Sequence, residues 1–237
     1  MLNIEKHKNV LLKILKDIYR DNTLGPLLGF KGGTAALFLH NLNRFSVDLD
    51  LDFDLLDDKK EDEVFEKIEK ILLKYGKIKD KQKKYYTLFF ELSYSEEDYN
   101  VKIEISRRNF GSKFEILNYF GISMQVMVKE DMFANKLAAL YERGERANRD
   151  IYDVWFFLDN NWPINKELIE KRLRISFVSC IEKCLLKLEK ISPRSILAGL
   201  GEILDEEKKK WVKLKLKDET LFLLKLMLAE EKKKEKL

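Results

Sequence analysis

The apolar positions near the amino end recur at helical spacing, at Leu11, Ile14, Leu15 and Ile18. This period predicts an amphipathic helix over residues 4 to 20 with its lysines outward. After the Gly25-Pro26 break, the apolar run at 27 to 30 predicts a short strand, and residues 35 to 39 predict a helix. The segment Lys31-Gly32-Gly33-Thr34 between them predicts a tight glycine turn.

From Val47 onward, apolar and acidic residues alternate. Val47, Leu49, Leu51 and Phe53 point one way, and Asp48, Asp50 and Asp52 point the other. The pattern predicts a half-buried strand with one acidic face. A second polar-faced strand is predicted at 101 to 105, where Lys102 and Glu104 alternate with apolar residues. Further elements expected in this half are a helix at 59 to 75, an aromatic strand at 85 to 94 and a strand at 122 to 128.

The composition changes near residue 130, beyond which the pattern contains no convincing strand. Helical segments follow, separated by breaks at Gly144, Pro163, Ser192-Pro193 and Gly199 to Gly201. The predicted fold class is therefore α+β, with a mixed-sheet lobe at residues 1–130 followed by an all-helical lobe at 131–237. Residues 231 to 237 are expected to be a solvated charged tail.

The composition excludes some classes of functional site but does not identify one. The chain has 237 residues, 45% of them hydrophobic, and 45 Lys and Arg against 41 Asp and Glu give a net charge of only +4. Binding to polyanions therefore depends on local clusters of charge. With only two histidines, His7 and His40, zinc catalysis and Ser/His triads are poorly supported. Cys180 and Cys184 are expected to be reduced packing residues. With no apolar run of about 20 residues and no signal-peptide pattern, we expect a cytoplasmic location without a membrane partner.

The acidic strand and the glycine turn suggest one shared chemistry. Side chains two apart on a strand share a face, so Asp48 and Asp50 repel each other unless a cation lies between them. Mg²⁺ (or Mn²⁺) suits such carboxylates because it prefers oxygen ligands and is often completed by substrate phosphates. Paired glycines before a helix let backbone N–H groups approach an anion, with the Thr34 hydroxyl as a further donor. Each feature alone is more often an ordinary solvated strand or an empty turn, but together they favour a metal–nucleotide site.

These motifs resemble those of a known family. The run from Gly29 to Leu37, followed by the run from Arg44 to Asp50, is similar to the AbiEii nucleotidyltransferase toxins of the polymerase-β-like superfamily. That superfamily combines a Gly-Gly or Gly-Ser turn, a helix and an Asp-x-Asp strand. A later block, Lys136 to Leu140 with Arg149-Asp150 and Asp153, resembles the family's Lys-Leu and Arg-Asp motifs. The resemblance covers about residues 25 to 158.

The resemblance implies roles for further residues. A third carboxylate on a neighbouring strand would complete the metal site with Asp48 and Asp50 and take the proton of the attacking hydroxyl. Glu104 fits this role by alternation, and Asp52 is the rival, one pleat further from the turn. Lys136 would be catalytic through phosphate contact, and Asp150 with Asp153 would either shape the nucleotide pocket or tie two helices together. Partners expected for those acids are Lys136, Arg146 or Arg149.

Two residues flank the approach to the acidic strand, and both are included with the nucleotide-binding set. Arg44 lies at its start, and Ser46 is expected on the polar face. Ser46 either fixes the loop by a hydrogen bond or, if phosphorylated, would add negative charge beside the metal ligands.

The implied activity is transfer of a nucleoside monophosphate from an NTP to a hydroxyl acceptor, with a tRNA 3′ end as the leading acceptor. By resemblance the chain would be the toxin of a toxin–antitoxin pair in phage defence, with an antitoxin as partner. RNA contact is offered by basic clusters at 81–84, 107–108, 171–174 and 208–217, with Tyr85, Tyr86 and Trp211 available for stacking. The alternatives are a transferase acting on a small molecule, as resistance enzymes of the superfamily do, and a non-catalytic nucleotide-binding module.

Overall fold

The first helix, α1 (Ile4–Arg20), begins where the Asn3 side chain accepts the Lys6 N–H, and it buries the predicted apolar stripe. The computed structural model describes residues 3–53, 58–95, 100–143, 148–192 and 195–234. The chain divides into two compact units, Met1–Met127 and Val128–Leu237.

The first unit is a seven-stranded sheet with helices. After α1 come α2 (Leu24–Leu27), β1 (Leu28–Lys31), α3 (Gly32–His40), β2 (Leu49–Phe53), α4 (Asp58–Leu72), β3 (Lys77–Lys84), β4 (Thr87–Ser93), β5 (Val101–Ser106), β6 (Phe114–Tyr119) and β7 (Ile122–Met127). The strand order is β3-β4-β5-β2-β1-β7-β6. The pairs β2–β5 and β1–β7 are parallel and the other pairs are antiparallel, so the sheet is mixed and the predicted α+β class is confirmed.

The two faces of the sheet differ in polarity. Alternate residues such as Phe30, Leu51, Ile103 and Phe90 are buried on the face that α1, α3 and α4 pack against. The other face carries the acidic residues of β2 and the polar residues of β5. The site residues of this unit therefore project from a rigid sheet whose reverse side is the core.

Several boundaries differ from the sequence prediction. β3 was not predicted, because KIKDKQKK contains almost no apolar residue; it is an edge strand held by backbone pairing to β4. The predicted aromatic strand begins at Thr87, and Tyr85 and Tyr86 form the turn before it. β6 was also missed, Leu27 belongs to a helical turn, and β2 starts at Leu49, so Val47 and Asp48 precede the strand.

The second unit is helical throughout its described residues. It contains α5 (Lys129–Arg143), α6 (Asn148–Asp159), α7 (Lys166–Leu173), α8 (Phe177–Glu189) and α9 (Glu206–Trp211), then a π-helical segment (Val212–Leu216) that leads into α10 (Lys217–Lys234). Pro163 separates α6 from α7, and Gly199 to Gly201 lie in turns before α9. The expected breaks at Gly144 and Pro193, and the tail beyond 234, lie outside the described residues. None of the described helices has the length and apolarity needed to cross a membrane.

Two expectations about single residues are resolved by packing in this unit. Cys180 and Cys184 are free thiols in the core, as predicted, and the hydrogen bond of the Cys184 thiol with Cys180 together with burial raises the pKa of Cys184. Trp211 packs against Trp155, with ring centroids 4.2 Å apart, and edge-on to Tyr152. Trp211 therefore takes part in the packing of this unit, and its availability for stacking on a base stays a prediction.

Candidate active site

The glycine turn predicted from the sequence is the start of α3. Lys31 is the N-cap residue without a side-chain capping bond, and Gly32 has φ +79. The first N–H groups of a helix have no partner within the helix, and the helix dipole makes this end positive. The turn can therefore receive an anion through its backbone.

Asp50 lies directly against this turn. Lys31 and Asp50 are cross-strand partners in the β1–β2 ladder. A Cβ added at Gly32 would overlap the Asp50 Oδ2 atom, so the carboxylate approaches the backbone as closely as glycine allows. The turn and the acidic strand thus meet at one place, which their separation in sequence did not guarantee.

Arg44 and Ser46 border the second glycine. A Cβ at Gly33 would lie 2.8 Å from Arg44 Nη2 and 3.0 Å from Ser46 Oγ. Arg44 is buried and donates from Nη1 to the Phe45 carbonyl at 3.0 Å. A guanidinium is therefore held beside the positive end of α3, which adds to the attraction for an anion.

Thr34 holds the segment that leads into β2. Its buried hydroxyl donates to the Asp48 carbonyl and lies 2.9 Å from Ser46 Oγ. The sequence interpretation made the Thr34 hydroxyl a donor to phosphate, whereas in the structure it fixes the loop. Ser46 forms the loop-fixing hydrogen bond that was one of the two roles expected for it.

His7 supports the same segment from α1 and was not recognised from the sequence. Its Nε2 lies 2.9 Å from the Val47 carbonyl and its Nδ1 lies 2.7 Å from the Tyr94 hydroxyl. A carbonyl only accepts, so Nε2 carries the proton that bonds Val47. Nothing in the local sequence could indicate a contact that spans 40 residues.

The carboxylates lie along two neighbouring strands. Asp50 is in register with Glu104 on β5, and Asp52 with Ser106. Asp52 forms an ion pair with Lys31, so this rival carboxylate is neutralised by a neighbouring cation. Asp48, just before β2, accepts the Lys102 N–H at 3.3 Å through its Oδ1.

Asp50 and Glu104 retain open coordination positions. Among the described residues neither side chain forms a hydrogen bond or ion pair. Over that same part of the chain, no three His, Cys, Asp or Glu side chains lie close enough to hold an ion as a closed cluster. Two adjacent carboxylates nevertheless fit Mg²⁺, since this ion is commonly held by one or two carboxylates and completed by water and substrate phosphates.

Lys136, Asp150 and Asp153 lie together in the helical unit. Lys136 Nζ is 3.0 Å from Asp150 Oδ1 and 2.8 Å from Asp153 Oδ2, and Arg143 Nη1 is 3.4 Å from Asp150 Oδ2. The Asp153 side chain is fully buried and the Asp150 side chain is 4% exposed. The cluster ties α5 to α6. Of the expected partners, Arg149 instead donates to the Gly199 carbonyl at 2.8 Å, and Arg146 lies outside the described residues.

Comparisons with known proteins identify the family of this chain. The model of the family described as "Nucleotidyl transferase AbiEii toxin, Type IV TA system" matches residues 13–220, well beyond the motifs that suggested it. A comparison with curated proteins finds no match.

Two solved structures are among those that a structural comparison finds similar to this chain. JHP933 from Helicobacter pylori is 19% identical with a TM-score of 0.61, and the alignment covers 99% of this chain and 97% of that one. MenT4, nucleotidyltransferase toxin Rv2826c from Mycobacterium tuberculosis H37Rv, is 17% identical with a TM-score of 0.44, over 92% of this chain and 91% of that one. Because the family model spans most of the sequence, the chain belongs to the AbiEii nucleotidyltransferase toxin family.

Proposed function

We propose that this nucleotidyltransferase toxin transfers a nucleoside monophosphate from an NTP to a hydroxyl acceptor, releases pyrophosphate, and requires Mg²⁺ or Mn²⁺ to do so. The observation that carries the proposal is the contact of Asp50 with the Gly32 backbone. It puts a carboxylate able to ligate a metal beside a turn able to bind phosphate, which is the combination that phosphoryl-type transfer needs.

The turn serves as the phosphate-binding end of the site. The N–H groups of Gly32, Gly33 and Thr34 at the α3 terminus would bind the NTP phosphates, and the buried Arg44 guanidinium would offset charge that develops on pyrophosphate. Thr34 and Ser46 keep the 45–48 segment in place. Lys31 acts less directly, because its ammonium neutralises Asp52.

The carboxylates form the opposite side of the site. Asp50 and Glu104 would hold the metal, and Asp48, just before β2, would join them as a third ligand only when the ion binds. When bound, Mg²⁺ neutralises phosphate charge and polarises the phosphorus under attack. Glu104 is exposed and, by family resemblance, accepts the proton of the attacking hydroxyl.

Lys136 is proposed to contact phosphate on family resemblance. Asp150 and Asp153 orient its ammonium, and through it they influence the nucleotide pocket. The proposed role of these residues in nucleotide binding can be tested separately from their role in joining α5 to α6.

The acceptor is proposed to be RNA, with a tRNA 3′ end first among the acceptors to test. An antitoxin partner follows from the toxin family. Action in the cytoplasm and a role in phage defence complete the proposal, and both rest on the family resemblance.

The decisive assay incubates the protein with each α-labelled NTP and Mg²⁺ or Mn²⁺, together with either total RNA, purified tRNA or small hydroxyl compounds. We expect label on the RNA 3′ end, and no label when EDTA replaces the metal. Label on a small compound alone would establish the resistance-enzyme type of activity, and absence of label in every arm would contradict the proposal.

Variants of the carboxylates test the metal assignment. Asp50→Asn and Glu104→Gln keep side-chain shape but remove a ligand charge, so each should lower kcat by about 100- to 1000-fold, as when one stabilising group is deleted from an active site. Asp52→Asn is the matched control on the same strand face and should lose much less activity, because Asp52 already pairs with Lys31. Equal losses in all three variants would show that the charge of the whole face matters and that no specific ligand set exists.

A further inference from the structure

The turn between β3 and β4 exposes two aromatic rings. Tyr85 is 80% exposed and Tyr86 is 48% exposed, and their ring centroids are 4.5 Å apart in an edge-on arrangement. Large rings at a hairpin tip add nothing to a core, so their exposed faces are open to a ligand. We define these two residues with Lys84 and Arg108 as the tyrosine tip.

The tip is held firmly and is positively charged. Arg107 N–H bonds the Tyr86 carbonyl at 2.9 Å, and its guanidinium bonds the carbonyls of Lys84 and Tyr85 while pairing with Glu61. The Arg108 guanidinium lies 4.7 Å above the Tyr86 ring, and the Lys84 ammonium lies 4.3 Å from the Phe89 centroid. These are cation–π contacts that fix both cations on rings.

The positive charges of the tip are not offset by ion pairs among the described residues. Within the ranges that the structure describes, neither Lys84 nor Arg108 pairs with a carboxylate. The neighbouring lysines differ, since Lys81 pairs with Glu69 and Lys83 with Asp62. The basic cluster seen in the sequence is thus largely neutralised, and its remaining charge lies at the tip.

The tip continues the polar face of the sheet beyond the candidate active site. Glu104 is followed on β5 by Ser106, which is in register with Asp52 on one side and Thr87 on the other. Arg108 lies two residues beyond the end of β5, where its N–H donates to the Ser106 hydroxyl at 3.2 Å. A small pocket lined by Asp52, Arg108, Asn109, Ser112 and Phe114, among others, joins the acidic strand to the tip.

The geometry of nucleotidyl transfer favours the tyrosine-tip end of β2 as the side from which the acceptor hydroxyl attacks. In-line displacement places the attacking hydroxyl opposite the leaving pyrophosphate. The glycine turn borders the Asp48 end of β2, where the proposed pyrophosphate position lies, and the tyrosine tip lies past the other end of β2.

We propose that the tyrosine tip binds the single-stranded 3′ segment of an RNA acceptor, with bases stacking on Tyr85 and Tyr86 and phosphates contacting Arg108 and Lys84. This inference rests on the proposed function, since it locates the acceptor of that reaction. Stacking on aromatic rings beside cations is the usual means of holding unpaired bases without reading their sequence.

The test measures RNA binding apart from chemistry. The probe is a fluorescent single-stranded RNA of about 10 nucleotides, within the usual range of such sites, with a 3′-deoxy end that blocks transfer. The Tyr85→Ala/Tyr86→Ala variant should bind it at least about 5- to 150-fold more weakly, which is the effect of losing a single stacked base. The Tyr85→Phe/Tyr86→Phe variant keeps both rings and should bind like wild type. Phe120→Ala, at the β6–β7 turn and 78% exposed, is the matched control and should also leave binding unchanged.

The outcomes separate this inference from the proposed function. Binding of Mg²⁺–NTP, measured in parallel, should be the same in all variants, because the glycine turn and carboxylates are intact. If the double alanine variant binds the probe like wild type, or wild type does not bind it, the tip is not an RNA surface, even where labelled NTP is still transferred. If the alanine variant loses RNA binding while wild type labels no RNA, the tip is an RNA surface and the proposed transfer is wrong.

Discussion

At the scale of single residues, the candidate site depends on how closely other side chains approach the backbone of two glycines. Gly32 admits the Asp50 carboxylate and adopts a positive φ, whereas Gly33 admits Arg44 and Ser46. Both positions were identified from the Gly-Gly pair, but the residues that fill the space beside them depend on strand register. Sequence spacing therefore predicted the turn and the acidic strand without predicting their contact.

Gly32→Ala tests this approach directly. A Cβ would collide with Asp50 and add strain at φ +79, so we expect NTP binding to be lost. Gly121→Ala is the matched control, because Gly121 has φ +73 but nothing within 4 Å of the added Cβ. Both variants should lose about 1 to 2 kcal/mol of stability from strain alone, measured by denaturant unfolding. Equal NTP binding by the two variants, measured by calorimetry, would show that the close approach of Asp50 to Gly32 is not part of the NTP site.

At the scale of elements, the residues predicted least well are those whose partners come from distant strands or helices. The alternation at 47–53 predicted an acidic face, and β2 carries it, because a half-buried strand leaves a clear local pattern. β3 left no such pattern, since its lysines face outward or pair with α4. The Lys31–Asp52 and His7–Val47 contacts depend on register and helix packing, which local sequence does not encode.

The Lys136 cluster gives a prediction about the joining of α5 and α6. Lys136→Met leaves two buried carboxylates without their main cation, so it should lower the free energy of unfolding by about 2 to 4 kcal/mol, somewhat below a fully buried pair because Lys136 remains 19% exposed. Lys171→Met, on exposed α7 surface, should change it little. Denaturant unfolding provides the measurement, and equal stability of both variants would contradict a structural role for the cluster.

A compensated variant separates structure from chemistry in that cluster. Lys136→Met combined with Asp150→Asn and Asp153→Asn removes both buried carboxylate charges and should regain most of the lost stability. If Lys136 also contacts phosphate, this stable variant should still transfer nucleotide poorly. Full activity there would restrict all three residues to a structural role.

At the scale of the whole molecule, a net charge of +4 gives little general attraction for RNA, so binding must come from local features. Ion pairing within each unit neutralises much of the charge that the sequence appears to offer. Among the described residues, Asp50 and Glu104 form no ion pair and are proposed to bind a metal, and Lys84 and Arg108 form none and are proposed to contact phosphate.

Calorimetric titration of α,β-methylene NTP analogues, with Mg²⁺ or with EDTA, into wild type and Asp50→Asn tests the central claim most directly. The account predicts that wild type takes up at least one analogue only when Mg²⁺ is present, and that Asp50→Asn loses this metal-dependent uptake. Uptake that is equally strong with EDTA, or unchanged in Asp50→Asn, would contradict a metal and a triphosphate held between the acidic strand and the glycine turn.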